Sequence, residues 1–210
     1  MTPAQFARRF PALYHAAWPE ARDRIREEGL LSPLALAESL GLSEAETERV
    51  LTGTRPAITP LAPDVILNDN SPLQSGPLSR CLRDGLTPGD WKRALNSRVF
   101  LFTKEKEARA FANAAASRDR DRDVWAFDGL AFATAFLDRM EVTPFNTGAA
   151  TRRPPLRDLS TFAPVAGLDF EQWRTRRVRA GEKQTPDSVR EVCVRGSAPD
   201  AVRVAEGRLL

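Results

Sequence analysis

An α+β fold with a helical insertion is what the sequence predicts, on three observations. Arg98-Val99-Phe100-Leu101-Phe102-Thr103 is the strongest strand signal in the chain, and the alanine- and charge-rich segment from Lys104 to Ala116 behind it has the composition of a helix. Val124-Trp125-Ala126-Phe127-Asp128 repeats that order, with a helix around Leu130 to Phe136. The stretch from Ser32 to about Asn96 reads as mainly helical, an insertion or a lid between the opening strand and these units.

Taken in order, Phe6 and Phe10 have helical spacing in residues 3–10, and Pro11 breaks that helix before a strand at 12–16. Pro19 suits a first helical turn, Ala21 and Ile25 share a face, and Gly29 closes the segment. Ser43 with Glu46 forms a capping box for a helix to Leu51. Thr52 to Pro63 reads as a loop, and Asp64-Val65-Ile66-Leu67 as a brief edge strand. Leu78, Cys81 and Leu82 share a helical face ended by Gly85, and Thr87-Pro88-Gly89-Asp90 starts a capped helix carrying Trp91 and Leu95. The alternating run Arg118 to Asp123 reads as a solvated, self-paired loop. After an extended piece at 140–143, Pro144 to Gly167 holds four prolines and is too long for a simple connection, which makes it a functional-loop candidate. Trp173 anchors a short helix, Arg174 to Gly181 reads as basic and mobile, and Ser188 to Val194 is the last strand.

At 210 residues the chain suits one domain with one core, and a hydrophobic fraction of 42% beside 28% charge excludes a largely disordered chain. No apolar run approaches a membrane span and no basic-then-apolar leader opens the sequence, so the expected location is the cytoplasm. The two cysteines, Cys81 and Cys193, have no spaced partners and read as buried reduced thiols. Of 31 cations only four are lysines, which suits planar contacts with phosphate and carboxylate, but no one-sided basic stripe marks a nucleic-acid surface.

Chemistry concentrates on a few residues. Tyr14 and His15 are the only tyrosine and the only histidine, and they are adjacent. A single histidine excludes a metal site built of imidazoles, and no nucleophile elbow, dinucleotide-binding glycine motif or phosphate loop is present. Glu191 stands among apolar neighbours in the last strand, where a carboxylate is either paired with one of the many arginines or has a function.

Leu13-Tyr14-His15, followed by Ile25 and Gly29-Leu30-Leu31, resembles the opening strand and helix of ADP-ribosyltransferase-fold proteins, notably the DarT toxins that act on DNA and the tRNA 2′-phosphotransferases. Arg98 to Phe102 is similar to that superfamily's central strand. Glu191-Val192-Cys193-Val194 with Ala198-Pro199-Asp200 is similar to the DarT segment whose strand glutamate is catalytic, and uncharacterised bacterial relatives share the likeness. The coverage runs from about residue 12 to 204. It implies split antiparallel sheets, NAD as co-substrate, a nucleic-acid or protein acceptor, and an antitoxin or regulator as partner. It also implies roles: His15 on the adenosine ribose, Tyr14 or Phe100 at the nicotinamide, Arg98 or Arg55 at the pyrophosphate, Glu191 as the catalytic carboxylate, and Asn146 and Arg157 toward the acceptor. In that picture His15 faces Glu191 across a pocket, while Tyr14 on the alternate face only packs. The residues themselves leave plainer readings open: a core imidazole for His15, surface or loop cations for Arg98 and Arg55, core for Phe100, a turn former for Asn146 and a solvated cation for Arg157. The Ser-Thr-Ser motif of many toxins is absent, with only Thr103 near its place, and the phosphotransferases' basic constellation is matched only at His15. An RNA 2′-phosphotransferase and an inactive nucleotide- or nucleic-acid-binding domain are therefore the rival expectations.

Overall fold

Pro3 at the first position and the reciprocal cap between Thr2 and Gln5 start the first helix of the computed structural model, α1 (Pro3–Arg9), which buries Phe6. The structure describes residues 1–68, 70, 72–114, 121–151, 154–179 and 189–210. The strand β1 (Ala12–Ala17) follows Pro11, and α2 (Arg22–Glu28) ends at Gly29, whose φ of +85° and tight approach to the Ala198 carbonyl both require the missing side chain. Gly29 and Leu30 form the short β2 (Gly29–Leu30).

The insertion is less helical than its sequence suggests. It contains α3 (Pro33–Ser39), α4 (Glu44–Thr52), α5 (Ser75–Ser79) and α6 (Pro88–Asn96), but also the hairpin of β3 (Thr59–Ala62) and β4 (Val65–Leu67). Residues 52–63 are thus only partly a loop: proline masks the first hairpin strand, which tolerates Pro60 because only one neighbour pairs with it, through a register shift between Pro60 and Ala62. The anticipated capping box of Ser43 with Glu46 is present, and the cap expected at Thr87 is a reciprocal box with Asp90.

The remaining elements are β5 (Arg98–Phe102), α7 (Glu105–Ala112), β6 (Asp123–Asp128), α8 (Gly129–Phe136), β7 (Met140–Thr143), β8 (Ala163–Pro164), α9 (Phe170–Arg179), β9 (Glu191–Arg195), β10 (Ala198–Pro199), α10 (Ala201–Val204) and β11 (Arg208–Leu209). Seven strands form one sheet in the order β11-β6-β1-β5-β9-β7-β8, and every ladder among the described residues is antiparallel. This is an α+β architecture. Arg174–Arg179 belongs to α9 and is helical, while residues 180–181 and Ser188 lie outside the described residues. Arg118–Arg120 also lie outside them, but Arg122 is buried: it lies over the Trp18 and Phe111 rings and donates to the Phe111 carbonyl and Asn68. The end of the alternating run therefore packs against the body instead of pairing with itself in solvent, because the Arg122 guanidinium finds ring faces and acceptors there.

Side chains alternate across the strands, so each sheet face has its own core. One face carries Leu13, Val99, Leu101, Phe127 and Val192 against Phe6, Phe132 and Trp173. The other is shared between two packings: Ala108 and Ala112 of α7 cover Ala16 and Val124 beside Tyr14 and Phe102, and Trp91 and Leu95 of α6 cover Cys193 beside Phe100. The insertion has a small cluster of its own around Ala37, Val50 and Leu67. Both thiols are free and buried.

Candidate functional site

Strand register builds the site. β5, β9 and β7 pair in sequence, and the pairs Phe102–Glu191 and Thr143–Glu191 set one row across them; the pair Tyr14–Phe102 extends that row to β1. Partners in register share a face, so Tyr14, Phe102, Glu191 and Thr143 stand on one side of the sheet. That face is the opposite of the one carrying Leu13, which alternation makes the side of His15 as well. The expected arrangement, with His15 facing Glu191 and Tyr14 turned away, is thereby corrected. β1 pairs with β6 over six residues but meets β5 in register at one pair only. The imidazole fills the seam this leaves, with Nδ1 at 2.9 Å from the Phe100 carbonyl.

A carbonyl only accepts, so Nδ1 carries the hydrogen and Nε2 is left as an acceptor. Burial holds the ring's pKa below its ordinary value, the Phe100 bond opposing this in part, which keeps His15 neutral near pH 7. Nε2 is not among the sealed unpartnered atoms, so a ligand hydroxyl has a lone pair to donate to.

Glu191 has an asymmetric carboxyl. After β7 the chain turns through Pro144 and Phe145 and lays Thr147 over the start of β9. The Thr147 N–H at 3.1 Å and its hydroxyl at 2.8 Å both donate to Oε2. Thr143 Oγ1 also lies 3.0 Å from Oε2, and equally 3.0 Å from the Phe145 carbonyl. One hydroxyl hydrogen cannot fully serve both. A protonated Glu191 resolves the conflict by donating to Thr143, which then donates to Phe145, whereas an ionised Glu191 must share that hydrogen. Burial raises the Glu191 pKa above the ordinary carboxylate value, while the Thr147 and Thr143 bonds and the charge of Arg157 act against it. Among the described residues nothing donates to Oε1, and Oε1 is not sealed in. The carboxyl therefore has one oxygen fixed by protein and one available, and burial raises its pKa, which suits a general base.

Of the expected pyrophosphate cations, neither is placed for the task. Arg98 makes a two-pronged ion pair with the buried Glu141, at 2.7 and 3.3 Å, and lies over the Phe162 ring. Arg55 ties the insertion together through the carbonyls of Val50 and Asn68 and the side chain of Asn96. Both work inside the fold, because an unpaired guanidinium under these layers is too costly to leave without acceptors. Arg157 is neither a solvated cation nor an acceptor-facing one: it is 1% exposed, packed near the Trp91 and Phe145 rings. Asn146 is exposed at the tip of the turn, one residue from Thr147. Phe100 is half-buried on the Glu191 face.

Thr143, Thr147 and Phe102 were not singled out from sequence. Phe102 was legible in the alternation of residues 98, 100 and 102; the threonines had no local signal. A groove of about 560 Å³ lies along the β8 edge between Arg83, Phe145, Asp158, Trp173 and Arg177, and Glu191 does not line it. The candidate site rests on the chemistry at Glu191 in preference to that hollow, whose Asp158 and Asp169 carboxylates accept from neighbouring residues as local caps. Among the described residues no three His, Cys, Asp or Glu side chains gather to hold a metal ion, and no helix is long and apolar enough to cross a membrane.

A family model described as a family of unknown function, DUF7002, matches residues 11–205, which takes in β1, His15 and the whole of β9. The chain belongs to this family. No curated protein and no solved structure matches the chain. In this DUF7002 member, Glu191 and its two threonines come from β9, the end of β7 and the turn after it, and all three fall inside the matched span.

Proposed function

We propose that this DUF7002 protein is an NAD-dependent ADP-ribosyltransferase acting in the cytoplasm on a macromolecular acceptor, nucleic acid or protein. The observation that carries the reading is the Glu191 carboxyl, with Oε2 held by Thr143 and Thr147 and Oε1 unpartnered. Breaking the bond between ribose and nicotinamide builds oxocarbenium-like positive charge on the sugar, and a carboxylate beside it lowers that barrier. Oε1 of Glu191 would stabilise that charge and then take the proton of the attacking acceptor group. Tyr14, Phe100 and Phe102, on the Glu191 face, offer ring surface for nicotinamide. Asn146, exposed beside Thr147, would contact the acceptor.

The 2′-phosphotransferase reading needs free cations around the pocket, and Arg98, Arg55 and Arg157 are engaged elsewhere, which favours ADP-ribosyl transfer. The test is to incubate the purified protein with NAD and candidate DNA, RNA and protein acceptors, measuring nicotinamide release and mass gain. Both should occur in the wild type and vanish in Glu191→Gln. A wild type indistinguishable from Glu191→Gln on every acceptor would sink the reading. NAD binding without consumption would indicate an inactive binding domain.

A further inference from the structure

Arg157 is an expensive residue whose placement the fold has to justify. It is almost fully buried, no carboxylate among the described residues pairs with it, and burial lowers its pKa. Nε donates to the Pro155 carbonyl and Nη1 to the Thr147 carbonyl, both at 3.2 Å, while Nη2 is sealed in without a partner among the described residues. A buried polar atom left unsatisfied calls for a compensating role. The backbone around Arg157 is itself pinned, since its N–H donates to the Cys81 carbonyl and its own carbonyl accepts from the Arg83 N–H. The Thr147 carbonyl receives a second donor, the indole Nε1 of Trp91 at 3.3 Å. Thr147 is thus gripped at its carbonyl by Arg157 and Trp91, and it grips Glu191 with its N–H and hydroxyl.

We propose that Arg157 is a positioning residue which, with Trp91, clamps the Thr147 carbonyl so that Thr147 holds Oε2 of Glu191 and leaves Oε1 to the reaction. The assignment rests on Glu191 being the reactive carboxylate. Charge alone does not account for the arrangement, because a carbonyl clamp shared with a neutral indole would then have no purpose. The other ionisable groups around Glu191 are Tyr14 on β1, Arg98 on β5, Glu141 on β7, Arg190 just before β9, Cys193 on β9, Glu107 on α7 and Cys81 after α5. Of these, Arg98 is committed to Glu141 and Arg190 to Glu107.

The test is the titration of the Glu191 side-chain carboxyl by carbon-13 NMR in uniformly folded protein, its resonance assigned by its loss in Glu191→Gln. Trp91→Phe keeps every charge and removes one clamp, and Arg157→Lys keeps the charge while losing the planar fork. Each should raise the Glu191 pKa by about half a unit, the scale of one weakened hydrogen bond. Arg157→Met should raise it further, since charge and clamp go together. Thr147→Val, which removes the hydroxyl donor directly, sets the scale of the effect. If Trp91→Phe and Arg157→Lys titrate as the wild type does, Arg157 acts through charge or packing only and the proposal is overturned. Should Arg157→Met fail to fold, the two charge-preserving variants decide the matter. In turnover, the same variants should lower kcat with little change in KM for NAD and move the kcat pH profile alkaline. The titration needs no NAD, so shifted titrations in a protein that releases no nicotinamide would overturn the ADP-ribosyl reading and leave the positioning role standing.

Discussion

Replacing Glu191 with glutamine should make the protein inactive and, at neutral pH, more stable. The amide oxygen can take the place of Oε2 and still accept from Thr147, with the NH2 group in the place of Oε1, so the packing around the side chain is preserved. What the substitution removes is the cost of ionising a buried carboxyl. The folded pKa of Glu191 is raised, so the folded state binds its proton up to a higher pH than the unfolded chain does. Below the unfolded pKa of about 4.3 the group is protonated in both states and contributes nothing. As pH rises from there to the folded pKa, wild-type stability is progressively lost relative to the variant, and above the folded pKa the difference is constant. Each unit by which the pKa is raised contributes about 1.4 kcal/mol to that plateau. Urea unfolding of the two proteins at intervals from pH 4 to pH 8 measures it directly. A Glu191→Gln protein less stable than wild type at pH 7, or a difference that does not vary with pH, would refute the claim that burial dominates at this carboxyl.

The buried pair of Arg98 and Glu141 gives a second prediction. Arg98→Met should cost about 3–5 kcal/mol in chemical denaturation, since Glu141 is left with the longer 3.6 Å contact to Arg195 and the weak Cys193 thiol donor, and adding Glu141→Leu should recover most of the loss. Gly129→Ala should destabilise by about 3 kcal/mol by the same measurement, because a Cβ there would sit 2.0 Å from the Phe10 carbonyl oxygen, a backbone atom that cannot move aside. For His15 the folded pKa is lowered, so its contribution is present above the unfolded value of about 6.5 and is lost as pH falls from there toward the folded pKa. The wild type minus His15→Gln stability difference should therefore shrink between pH 7 and pH 5.

Much of the frame was legible residue by residue. The strands at 98–102 and 124–128 follow from runs that only a buried sheet position accommodates, and the caps at Ser43 and Thr87 from spacing that one helical turn fixes. The Tyr14-His15 pair and Glu191 were visible as compositional oddities in strands. Their mutual placement was not. The partner of a strand depends on which of many pairings lets the whole core close, a sum over the chain that no local window contains. The strand at 65–67 is legible as an edge strand, but its hairpin partner at 59–62 is not, for a smaller reason: Pro60 carries the signature of a loop, and only pairing with one neighbour makes it tolerable.

The sequence by itself determined an α+β chain with a carboxylate inside its last sheet strand, because hydrophobic alternation, glycine stops and helix caps act within a few residues of one another. Only the tertiary structure decided what that carboxylate faces. Thr143 and Thr147 reach it across 48 and 44 positions of the chain, Tyr14 takes the face expected of His15, and Arg157 turns from the acceptor into the core. Register and long-range burial are set by the energy of the whole assembled core, and that quantity does not exist until the strands have met.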